Sequence, residues 1–125
     1  MKATLSSLHH QALDWTRELE FYAEELKILS NRLGEVSRKN NGQETMTMVE
    51  HFQNKFIMLK EQIDILKHET KKREEHIEKT AIGKPSHINE QIKIGSDKIF
   101  DQMIDLSKSI ATTRYEFNHF LSKVM

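Results

Sequence analysis

Apolar residues recur along this chain at alternating steps of three and four. In the first third they are Leu5, Leu8, Ala12, Trp15, Leu19, Tyr22, Leu26, Leu29, Leu33 and Val36. The middle third has Val49, Phe52, Phe56, Leu59, Ile63 and Leu66, and Thr70, Arg73 and Ile77 then follow the register with polar substitutions. The last third runs Ile92, Ser96, Ile99, Met103, Leu106, Ile110, Thr113, Phe117, Phe120 and Val124. That spacing gathers each set on one face of an α-helix, whereas a strand alternates with period two. Sustained over several heptads, it is the seam of coiled-coil-type packing.

Two breaks interrupt the pattern. The first is Lys39-Asn40-Asn41-Gly42, an Asn-Gly turn signal. The second is Ile82-Gly83-Lys84-Pro85-Ser86, where Gly83 closes one helix and Pro85 with Ser86 opens the next. The pattern therefore predicts helices over 4–39, 43–81 and 86–124, each on the order of 55 Å long at about 1.5 Å per residue. Short turns between long helices make neighbours antiparallel. The expected fold is all-α: a single domain over 1–125, built as an elongated, antiparallel (up-down-up) three-helix bundle with heptad-type packing. One end would be tight and aromatic, with Phe52, Phe56, Phe117 and Phe120 against Leu29 and Leu33. The other would be looser, since Thr70, Arg73 and Ser96 fall there. Gly95, near that looser end, costs about 1 kcal/mol against alanine inside a helix; it is expected to be tolerated there, the alternative being a close helix approach or a local kink.

Composition narrows the function. The chain holds 19 Lys+Arg and 19 Asp+Glu, so its formal net charge is zero. The balance repeats in each third, and acid and base often sit at helical spacing, as in Glu35/Lys39, Glu69/Arg73 and Glu75/Lys79. No helix is a basic stripe, so no nucleic-acid partner is expected. Cysteine is absent, which removes disulfides, zinc-thiolate sites and cysteine nucleophiles. No stretch approaches about 18 consecutive apolar residues, and the first residues lack the pattern of a signal peptide. The expected location is cytoplasmic, with no membrane partner.

Candidate chemistry is sparse. Seven histidines occur, and folding the chain at its breaks sends His9, His10, His68, His76 and His87 toward the polar end. A cluster of histidines there could act as a pH sensor, or each could titrate independently at the surface. Glu116 and His119 form a Glu-x-x-His pair on one helix face, and antiparallel packing brings His51 level with Glu116. His51, Glu116 and His119 are thus the candidate metal site. Bundle di-iron proteins use two such motifs plus two further Glu, all pointing inward. Here one motif is present and both histidines lie two positions after a core residue, facing out. There is no His-Glu-x-x-His, no nucleophile elbow and no phosphate-cradling glycine loop. No enzyme and no cofactor are expected.

Apolar residues off the seam carry more information. Phe21 and Ile28 are seven apart, both two positions after a core residue, and Met58 and Ile65 repeat that offset on the second helix. Leu13, Ile57, Ile104 and Tyr115 also leave their seams. Either a broad core reaches these flanks, or the four heptad-spaced residues are an interface. In the second case the occupant is a protein partner or a second copy in a homodimer, a two-fold contact being the commonest outcome.

The stretches from Trp15 to Leu33, Val49 to Ile57 and Phe117 to Met125 resemble small uncharacterised bacterial helical-bundle proteins. That resemblance implies a bacterial source and carries no assigned activity. The sequence is thus read as a non-enzymatic protein–protein interaction or scaffold module that self-associates. The alternative is a metal- or ligand-binding bundle using surface His and Glu.

Overall fold

A computed structural model describes residues 4–83 and 90–125. They form three helices: α1 (Leu5–Lys39), α2 (Gln43–Gly83) and α3 (Glu90–Val124). The expected helix opening at Pro85 and Ser86, and His87, lie outside the described residues.

Local chemistry sets the helix ends. Thr4 takes an extended backbone and its hydroxyl accepts from the Ser7 N–H at 3.0 Å. The Ser7 hydroxyl accepts from the Thr4 N–H at 2.9 Å. This is a capping box with serine in the position usually held by Glu or Gln. At the other end Arg38 and Lys39 occupy the last turn, where positive charge suits the helix dipole. Asn40 leaves the helical region and its N–H still reaches the Val36 carbonyl. The chain reverses over Asn40–Gly42, and the Gly42 carbonyl already accepts from the Met46 N–H. Only three residues separate the helices, so α2 must return along α1.

Cross-helix pairs fix the topology. His9 meets Glu74, while Leu33 and Val49 line one groove, so α1 and α2 are antiparallel. Phe52 packs on Phe117 and Phe120, and Arg73 lies against Gly95, so α2 and α3 are antiparallel too. Trp15 shares a groove with Met103 and Glu25 pairs with Arg114, which makes α1 and α3 parallel. The molecule is the expected up-down-up three-helix bundle, with α1–α2 and α2–α3 closely packed and α1–α3 meeting over fewer residues.

All ten predicted α1 seam positions are buried. On α2 and α3 the apolar seam positions from Val49 to Phe120 are buried as well. Val124, the last, is only partly buried. Among the described residues Leu121 is buried although it lies off the seam. The aromatic end is as expected: the rings of Phe52 and Phe56 each meet Phe117 edge-on with centroids 5.2 Å apart, a favoured geometry for aromatic pairs. Toward the other end the large cluster stops. Thr70 and Ser96 are buried there, and a small separate cluster of Leu5, Leu8, Ile77 and Ile92 closes the bundle.

Gly95 has a clearer role than mere tolerance. A methyl group on its α-carbon would overlap the guanidinium of Arg73. The glycine thus leaves the space in which the arginine lies at an otherwise apolar seam position. In an Arg73→Ala background, Gly95→Ala is expected to stabilise the protein by about 0.5–1 kcal/mol through helix propensity. In the native background the displaced guanidinium should cancel that gain. Urea unfolding of the four proteins measures the difference, and an equal gain in both backgrounds would refute the packing argument.

Candidate functional site

The heptad register assigns each flank of each helix to a neighbour. On α1, the positions just before the seam include Glu18 and Glu25. Glu25 accepts a bidentate pair from Arg114 of α3, at 2.7 Å from Nε and 2.6 Å from Nη2. Glu18 shares a groove with Phe100, Met103 and Ile104 of α3. This flank of α1 therefore turns toward α3. Phe21 and Ile28 each follow one of these glutamates by three residues and lie on the same flank, farther out. They are 63% and 59% exposed, so the core does not reach them. Phe100 and Ile104, also exposed, continue the apolar row on α3.

On this side the Glu25–Arg114 pair joins α1 to α3, and a second polar contact lies within α1. The Tyr22 hydroxyl donates to Glu18 at 2.6 Å. Burial raises the Tyr22 pKa above its ordinary value, and the bond to Glu18 adds to that. Arg114 is held more firmly protonated, chiefly by its hydrogen bonds to Glu25. With the Arg114 side chain 39% exposed, water screens the pair, and it is worth about 1 kcal/mol at most. Its geometry nevertheless fixes the relative height of the two parallel helices.

Met58 and Ile65 are as exposed as the α1 pair, but they face elsewhere. Ile65 lines a groove of about 250 Å³ with Gln62, Gln102, Asp105 and Ser109, between α2 and α3. Met58, seven residues before Ile65, lies on the same flank of α2. Thus α3 stands between the two predicted pairs, and the four residues form two surfaces. Sequence spacing gives each pair its shared helix face. It does not say which neighbour that face adjoins.

The predicted metal residues do come together. His51, Glu116 and His119 line one groove of about 590 Å³ at the aromatic end, with Glu44, Met48, Tyr115 and Lys123 around them. His51 is seven residues before Met58, so this groove and the Met58–Ile65 surface are parts of one α2–α3 stripe. All three residues are exposed. Among the described residues no group of three His, Cys, Asp or Glu is placed to hold a metal ion.

At the polar end the His9 Nδ1 lies 3.0 Å from a Glu74 carboxylate oxygen. This contact joins α1 to α2 at that end. The sequence pattern brought five histidines to one end and missed this acidic neighbour.

Among the described residues no helix is long and apolar enough to cross a membrane. No family model matches the chain, and neither a curated protein nor a solved structure matches it significantly.

Proposed function

We propose that the chain is a non-enzymatic protein–protein interaction or scaffold module that self-associates in the cytoplasm. The observation supporting this is the exposure of Phe21 and Ile28 at heptad spacing on one flank of α1. Phe100 and Ile104 extend the row onto α3. Scattered surface apolar residues are ordinary, but a row of large ones along a helix pair is typical of a contact surface. Burying one such side chain contributes about 1.5–3 kcal/mol, and a two-fold contact uses each of them twice. The zero net charge fits this reading, because repulsion between copies is weak near neutral pH.

Phe21→Glu should therefore weaken association about 100-fold or more. Helicity should be unchanged, since Phe21 lies outside the core. Light scattering across a concentration series, on native protein and variant, measures this. A native dimer that the variant dissociates supports the proposal, and a native monomer at every concentration refutes it.

A further inference from the structure

The core of this bundle is divided. One cluster runs from Trp15 on α1 to Leu121 on α3. The second consists of Leu5, Leu8, Ile77 and Ile92. Between them the seam carries Thr70 and Ser96, both buried, Arg73 with its guanidinium against Gly95, and Ala12, the smallest side chain of the α1 seam. Cooperative units in proteins follow contiguous apolar contacts, because residues sharing a core lose their burial together. A layer of hydroxyls and a guanidinium couples its two sides poorly, since all of these groups are readily solvated when water enters.

We propose that the end of the bundle beyond this layer is a separate cooperative unit that opens while the aromatic end stays folded. The unit comprises the first two turns of α1, α2 beyond Arg73, and the first turns of α3. Across its surface α1 and α2 are joined by His9 and Glu74, whose side chains are 40% and 24% exposed. A polar contact this open to water is a weak clasp. Opening uncovers Leu5, Leu8, Ile77 and Ile92 and leaves the Phe52–Phe117 packing in place.

Native-state hydrogen exchange of the full chain, resolved by peptide mass spectrometry at several low urea concentrations, tests this. Amides at 9–12, 74–80 and 95–98 should exchange at least about tenfold faster than those at 19–33 and 110–120, with one shared urea dependence. A substitution at the aromatic end provides the sharper criterion. Val36→Ala weakens the closed and the partly open forms equally relative to the unfolded chain. It should speed exchange about tenfold at 19–33 and leave 9–12 and 74–80 unchanged. Phe117→Ala should show the same division more strongly. If the terminal amides speed up with the central ones, the bundle is one unit and the proposal fails. It fails equally if the terminal amides exchange in a gradient toward the chain ends that ignores urea, which would be fraying.

Discussion

Phe117→Ala is expected to lower the unfolding free energy by about 3–5 kcal/mol. Phe117 is fully buried, and its ring has Phe52, Phe56 and Phe120 around it with centroids 5.2, 5.2 and 6.3 Å away. Removing the ring loses its transfer energy, leaves a cavity among rigid neighbours, and breaks edge-on contacts worth about 0.5–1.5 kcal/mol per pair. Small domains have about 5–15 kcal/mol in total, so roughly a fifth or more of the stability should vanish. Urea unfolding followed by far-UV circular dichroism would show a lower midpoint with an unchanged slope. A loss below about 1 kcal/mol would mean that the aromatic end is loosely packed and the account of the core is wrong.

The largest expected gain comes from two buried hydroxyls. Thr70 and Thr113 are each 1% exposed, and the Oγ1 of each is buried without a hydrogen-bond partner. A hydroxyl taken out of water and left unbonded costs about 1–3 kcal/mol. Valine has nearly the same shape and no such cost. Thr70→Val together with Thr113→Val should therefore raise stability by about 2–4 kcal/mol, near the sum of the single changes, because the sites lie at different heights of the bundle, Thr70 in the layer with Ser96 and Thr113 one turn from Phe117. The same unfolding experiment measures it. No gain, or a loss, would show that these hydroxyls find partners in solution.

The register of the core was fully legible in the sequence because a heptad is a local property. Ten α1 positions read from spacing alone are the ten that are buried. The helix starts and stops near Lys39 and Gly42 followed from the same local rules. What escaped depends on which helix lies on which side. Leu121 is buried because it follows Arg114 by seven residues, on the flank of α3 that faces α1, a fact that no pattern within α3 contains. The Glu25–Arg114 pair joins residues 89 apart in the chain. Phe21 with Ile28, and Met58 with Ile65, look alike as spacings and lie on opposite sides of α3. The candidate metal residues show the converse. Folding the chain back at its turns was enough to bring His51, Glu116 and His119 to one groove, and insufficient to say how near their donor atoms come.

Trp15 is the only tryptophan in the chain, and it is buried at the edge of the large cluster, one turn beyond Ala12. Its indole is thus a built-in optical reporter at the border of the divided core. Water arriving from the polar end reaches this ring before it reaches any phenylalanine of the aromatic end. Its emission colour and its access to a soluble quencher therefore follow events at that border, while the far-ultraviolet signal follows the helices of the bundle as a whole.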